Sequence, residues 1–424
     1  MDVIRHPDMS DVEHILQRPA QNLEHLREPA MEVIESVRKD GDAALQRYTL
    51  MFDNVVISSP AVSSAELDEA EQRTPPNLKN AIEQAAKNIK TFHAAQQQEV
   101  KKISTMPGVT CWRKSVGIER VGLYVPGGSA PLFSTVLMLG IPAQLAGCAR
   151  VVLCTPPNKS GKVHPAILYA AKQVGITEIY KVGGMQAIAA LAFGTKIIPR
   201  VDKIFGPGNA YVTAAKQLVS SMGVAIDMPA GPSEVMVLTD GKCNPSFVAA
   251  DLLSQAEHGA DSQVVLVSCS TIAISQTLKI LQQQLKELQR KDIASKVLER
   301  SVALLVKSEN EMLCVANTYA AEHLIIATKN AEQLAEKVVN AGSVFVGPYS
   351  PESAGDYASG TNHALPTGGY ARACSGVSVD SFVKKITFQH LTQEGIRGIG
   401  AAVEAMAEAE GLQAHRNAVR LRTE

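Results

Sequence analysis

From Gly117 onward the chain alternates short apolar, β-branched runs with amphipathic helical stretches, and no other feature narrows its fold so far. RVGLYVP, RVVLC, EIYKV, KIFG and VAIDM form a first series. VMVLT, QVVLVS, VALLV, HLIIAT and SVFVG form a second, with helical stretches near 247–258 and 272–288 between them. That rhythm is the pattern of βαβ units around a parallel sheet, and two series predict two α/β domains. The longest apolar stretch, VLMLGIPAQLAGCARVVLC, is broken by Pro142, Gln144 and Arg150. It reads as a helix running into a buried strand, not as a membrane span.

What precedes and follows is simpler. The first twenty or so residues read as an arm with one short helix, set off by Pro19 and Pro29. Helical blocks follow at about Ala30 to Phe52 and Leu78 to Gln98, the second opened by Pro75 and Pro76. After Gly376 one strand-like run, VKKITFQHL, leads into an Ala/Glu-rich helical tail. The opening MDVIRHPDMSD has no apolar h-region, so no signal peptide is read there and a soluble, cytoplasmic protein is expected.

Composition excludes several classes. With 41 Lys plus Arg against 42 Asp plus Glu, no net field favours nucleic acid or an anionic membrane. Aromatic residues make up only 4%, and no basic stretch interleaves them as a base-stacking platform would. The seven cysteines are scattered, odd in number and without a CxxC pair, which suits free, mostly buried thiols in a reducing compartment.

Three glycine-rich turns follow predicted strands and lead into helices: YVPGGSAP, KVGGMQA and FGPGNAY. Backbone N–H groups at such turns can meet a phosphate. None is GxGxxG followed by the usual acidic residue, and all are equally compatible with tight connections. GIRGIG (Gly395 to Gly400) lies in the helical tail and reads as helix packing; NKSGKV (Asn158 to Val163) lacks the P-loop's opening Gly and reads as a loop.

Chemistry-bearing residues cluster elsewhere. Gln255 and His258 are three apart on a predicted helix, so they share a face. The acid-rich loop GDYASGTNH carries Asp356 and His363, and the tail carries Glu410 and His415. Imidazoles, a carboxylate and an amide oxygen suit a borderline divalent ion such as zinc, although spacing alone establishes none. In YAAEHL, Glu322 and His323 precede an apolar run; a His beside a carboxylate suits proton removal. Adjacent strand residues face opposite ways, so both serve one pocket only if this segment is still loop.

RVGLYVPGG, KIFGPGNAYV, IDMPAGPSE, DLLSQAEHG, SPESAGDYASGTNH and LQAHRNAV stand in the order and spacing of one family. Over essentially its whole length the chain resembles the histidinol dehydrogenase family. The resemblance implies an α/β fold of two incomplete Rossmann-like domains with parallel sheets, a short N-terminal arm and a helical C-terminal tail. Its division would be an arm at 1–22, a first α/β domain from 23–123 and 235–376, a second at 124–234, and a dimer-forming tail at 377–424. It also implies an intertwined homodimer with shared active sites, one zinc ion per subunit, and NAD.

Carried over by position, Gln255, His258, Asp356 and His415 resemble the zinc ligands, which also contact substrate, and Glu322 and His323 the acid–base pair. Ser233, His363 and Glu410 match substrate-contacting positions, as His323 does. Tyr124, Gln186 and Asn209 match NAD-contacting ones. Ala321 stands where the family often has Pro, which loosens the turn but removes no functional group. The implied reaction takes L-histidinol through histidinaldehyde to L-histidine with two NAD reductions. The alternative is a related zinc/NAD dehydrogenase acting on another amino alcohol or diol. A zinc hydrolase would leave the three glycine turns idle.

Overall fold

The computed structural model describes residues 1–18, 23–57, 59–127, 131–228 and 231–424. Pro19, residues 128–130 of the first glycine turn and the pair at 229–230 in IDMPAGPSE lie outside the described residues. Among the described residues, strands form three sheets. The five-stranded sheet is parallel and runs, in spatial order, Glu178–Lys181, Arg150–Thr155, Arg120–Tyr124, Lys203–Phe205, Ala225–Ile226. Numbered along this unit, that is 3-2-1-4-5, the doubly wound order lacking its sixth strand.

The six-stranded sheet repeats it. Val302–Leu305, Gln263–Ser268, Glu234–Thr239, His323–Ala327 and Ser343–Val346 are again 3-2-1-4-5, all parallel. Asp2–Arg5 adds a parallel edge strand beside Val302–Leu305. The N-terminal arm is therefore part of a sheet as well as a short helix (Val12–Ile15). Four residues reading DVIR are too short and polar to show a strand's period. All six side chains of Glu234–Thr239 and of Gln263–Ser268 are buried, because helices cover both faces.

One expectation is corrected by packing. Residues 23–123 were grouped with 235–376, yet helices Glu24–Asp40, Ser64–Arg73 and Pro76–Ala94 pack on helices of the five-stranded unit. Ala30, Ile34 and Leu45 share a core with Ile188, Leu191 and Val219, and Ile82 and Ile89 one with Val136 and Leu168. The first of these helices starts at Glu24, with Pro29 inside it near the N-terminal end rather than before it. Ser134 to Ala143 are all buried in helix Phe133–Leu145, which accounts for the long apolar stretch.

The third sheet is antiparallel: Lys102–Met106, Val109–Gly117 and Val383–Leu391. It carries the tail helices Gln393–Ala409 and Gln413–Thr423, which pack on each other. Gly395 of GIRGIG sits so close to the backbone of Gly108 that no Cβ fits between them, so its role is packing. Among the described residues no helix is long and apolar enough to cross a membrane.

Candidate active site

Strands Glu234–Thr239 and His323–Ala327 are neighbours, so their N-terminal ends bring 233–234 beside 322–323. Glu322 lies one residue before its strand, after Ala320 in the left-handed region (φ 55°). That conformation costs an alanine about 1 kcal/mol and swings Glu322 out of the pleat. Glu322 Oε2 consequently stands 3.6 Å from His323 Nδ1. The condition for a shared pocket is met.

The carboxylate is held from behind. The backbone N–H of Glu234 donates to Glu322 Oε2 at 3.0 Å. The Glu234 side chain, itself buried, pairs with Arg18 Nε at 2.6 Å and accepts from Gly368 N–H. The Arg18 guanidinium lies 3.9 Å over the Tyr319 ring and donates to the Tyr319 carbonyl. Ser233 is half-buried at the head of the same strand.

Opposite stands Asp356, whose Oδ1 is 3.5 Å from His323 Nε2. Asp356 lies not in a loop but on the short helix Glu352–Tyr357, one turn after Glu352. That helix packs against Pro245–Ala256, which ends at the expected pair: Gln255 Nε2 is 3.2 Å from His258 Nδ1. His258 is exposed at the rim, whereas Gln255 is fully buried. His363 bridges the two α/β units: its Nδ1–H donates to the Asp356 carbonyl at 2.9 Å, and its Nε2 accepts from the Thr135 hydroxyl at 3.2 Å.

Several buried atoms here lack any hydrogen-bond partner: Gln255 Oε1, both ring nitrogens of His323, Glu352 Oε2 and Asp356 Oδ1. Each such atom costs about 1–3 kcal/mol, so their concentration in one spot marks where a ligand binds. Ligand atoms of His258, Glu352 and Asp356 lie within 4.8 Å of one another. An imidazole, an amide whose oxygen is buried and unpaired, and two carboxylates that each present a buried, unpaired oxygen fit a divalent ion. Sequence reasoning missed Glu352; its signal was the i,i+4 carboxylate pair with Asp356 in PESAGDY.

Burial pushes the Glu322 carboxyl up to about 8, against the pull of His323. For His323 burial works the other way, but the Glu322 and Asp356 carboxylates outweigh it and carry the ring up to about 10. Burial opposes the charge on Asp356 too, yet the imidazoles around it hold that carboxyl below its ordinary range. Burial keeps His363 low, hence a neutral ring. Glu322 and His323 titrate as a pair.

Glu410 and His415 are not brought here. Both are exposed on the tail, and His415's helix packs on its partner helix Gln393–Ala409.

A cavity of about 850 Å³ opens at the C-terminal ends of Arg120–Tyr124 and Lys203–Phe205, the strand-order switch point of the five-stranded sheet. Tyr124, Gly184, Asn209 and Asp53 line it. The Tyr124 hydroxyl accepts from Gly184 N–H at 3.1 Å, and burial pushes the phenol up to about 12. Asn209 Oδ1 caps the helix Ala210–Ser221. Gln186, on helix Gly184–Phe193, is buried with both amide atoms unpaired. The helices that begin at Gly184 and Ala210 open onto this space, and the positive end of a helix dipole favours an anionic group there. Asn158 and Lys159 line it as well, so NKSGKV is the expected loop but belongs to the cavity wall. Asp53, with its buried Oδ2 unpaired, was also missed.

The cysteines are unpaired, as expected, but only Cys154 is fully buried; five are half-buried and Cys314 is exposed. Cys314 lies on helix Glu309–Tyr319, Cys111 in strand Val109–Gly117, and the other four in connecting segments.

The family model described as histidinol dehydrogenase matches residues 16–423. The chain is 58% identical to the histidinol dehydrogenase of Bacteroides fragilis over 424 residues, 100% of this chain and 99% of that one. It is 51% identical to that of Vibrio cholerae, over 97% of this chain and 95% of the relative. The crystal structure of histidinol dehydrogenase from Elizabethkingia anophelis superposes with a TM-score of 0.98 at 54% identity, covering 100% of this chain and 98% of that one.

Proposed function

This chain belongs to the histidinol dehydrogenase family, and we propose from that premise that it oxidises L-histidinol through histidinaldehyde to L-histidine, using NAD and one zinc ion per subunit. The observation that carries the chemistry is Glu322 and His323 sharing one spot, with Asp356 Oδ1 3.5 Å from His323 and both that atom and Gln255 Oε1 buried and unpaired.

Zinc, when bound, supplies a Lewis-acid anchor for the substrate's nitrogen donors, and NAD supplies the hydride acceptor. Gln255, His258 and Asp356 would hold the ion, joined by His415. Tyr124 and Asn209, which line the cavity, and Gln186, buried on the helix that Gly184 begins, would hold the dinucleotide. His323 takes the carbinol proton as hydride leaves the same carbon. Glu322 then takes a proton from the water that adds to the aldehyde, and the hydrate loses the second hydride to give the acid. Ser233, His363 and Glu410 orient the substrate.

Because Glu410 and His415 lie exposed on the tail, the site is completed by a second copy in a homodimer. A cytoplasmic location is in keeping with the unpaired cysteines and a biosynthetic reaction. The test is NADH formation from histidinol against a panel of simple amino alcohols and diols. Turnover confined to histidinol is expected. Comparable turnover of the simpler compounds would assign a related dehydrogenase instead.

A further inference from the structure

We propose that Lys216 and Asp227 form a positioning pair for the dinucleotide, a buried ion pair that fixes the glycine turn from Gly206 to Asn209 in the shape the cofactor meets. The proposal rests on the reading of the cavity beside Tyr124 and Asn209 as the dinucleotide site.

Lys216 stands on helix Ala210–Ser221, and Asp227 follows strand Ala225–Ile226. Their side chains are only 4% and 6% exposed, and Lys216 Nζ pairs directly with Asp227 Oδ1. Both then close on one residue, Gly206. Its N–H donates to Asp227 Oδ2 at 2.8 Å, and its carbonyl accepts from Lys216 Nζ at 2.8 Å. The N–H of Met228 donates to the same carboxylate at 2.8 Å.

Gly206 opens the turn directly after strand Lys203–Phe205, and Asn209 closes it by capping the helix at Val212. At φ 126° Gly206 leaves no room for a Cβ against the Tyr124 carbonyl, and Gly208 leaves none against the Val212 side chain. Pro207 between them has its own φ fixed by its ring. The entry of the turn therefore bears on the main chain of Tyr124 and its exit on the first turn of the helix. Tyr124 and Asn209 both line the cavity, so a shift of Gly206 disturbs two of its walls together.

A buried ion pair is seldom more stabilising than apolar side chains of the same volume. What this one adds is direction. Its two charges hold the N–H and the carbonyl of a single residue, which apolar packing cannot orient.

The experiment titrates NADH fluorescence against zinc-loaded, full-length wild type, K216M, D227N and the double variant K216M/D227N, and measures steady-state kinetics and thermal midpoints of each. K216M should weaken NADH binding and raise KM for NAD about tenfold, with kcat at saturating NAD and KM for histidinol near wild type. D227N should do the same, and serves if K216M folds poorly. The double variant should regain much of the midpoint lost by K216M, because no buried carboxylate is then left unpaired, yet keep the weakened NADH binding. NADH affinity that is unchanged in the variants, or that returns with stability in the double variant, overturns the proposal. N209S, which keeps the helix cap, and Y124F test the underlying reading. If both bind NADH like wild type, the dinucleotide lies elsewhere and the proposal falls with its premise; if they weaken binding while K216M and D227N do not, the proposal alone falls.

Discussion

The backbone N–H of Glu234 donates to Oε2 of Glu322 at 3.0 Å, while the Glu234 side chain is held by Arg18. One strand end thus positions the carboxylate with its main chain and is itself anchored by a partly buried ion pair. Because that same Glu322 oxygen stands 3.6 Å from His323, rigidity at Glu234 reaches the imidazole directly.

Arg18→Ala should therefore destabilise the protein by about 3 kcal/mol, since it leaves the Glu234 carboxylate buried and unpaired. Arg18→Ala combined with Glu234→Gln should recover most of that. Denaturant midpoints of the single and double variants check this; equal losses would show that the unpaired carboxylate is not the cause.

Glu322→Gln should slow oxidation of supplied histidinaldehyde far more than oxidation of histidinol, and His323→Asn the reverse, each by about a hundredfold or more. Both groups hold their protons more tightly than usual, so the bases become available only as pH rises. Wild-type turnover should climb through pH 8 and beyond, where Glu322 loses its proton. Equal effects of Glu322→Gln on both half-reactions would count against the division of roles.

Asp251, on the helix leading to Gln255, has its carboxyl raised to about 7 by burial alone. Folded protein keeps that proton while the unfolded chain releases it from its ordinary value near 3.8. Stability is thereby lost as pH rises between these values, and the full penalty applies above 7. Asp251→Asn should remove roughly 2 kcal/mol of it at pH 8 and clearly less at pH 5. Thermal midpoints of metal-free protein at the two pH values test the sign; a gain independent of pH would refute it.

Asp53 presents a buried, unpaired oxygen at the wall of the cavity that Tyr124 and Asn209 line. Such a carboxylate accepts from a ribose hydroxyl and repels a 2′-phosphate. Asp53→Ala should raise KM for NAD about tenfold with kcat nearly intact, and narrow the preference over NADP. Steady-state kinetics with both dinucleotides decide it; an unchanged preference would place Asp53 outside ribose recognition.

Crossing of the tail can be read from mixed dimers. His323→Asn and His415→Ala chains, each inactive alone, should regain about half of wild-type activity when paired, because one site collects both lesions and the other none. A correctly assembled mixed dimer that stays inactive would mean that His415 returns to its own chain.

Read by itself, the sequence determined the two parallel sheets, the helical blocks, the tail and the pairing of Gln255 with His258, because each rests on a local period or a short spacing. It also held Glu322 and His323 together, though not on which side of the pleat. Tertiary structure alone decided the rest. Both units share the order 3-2-1-4-5, yet Tyr124 ends one strand and Asn209 follows the C-terminal end of its neighbour, while Glu322 and His323 stand at the N-terminal end of a strand in the other unit. No periodicity distinguishes the two ends of a strand. Only packing brought Arg18 to Glu234, Thr135 to His363 and Glu352 to His258, since contacts between residues so distant along the chain depend on how the sheets, helices and loops meet.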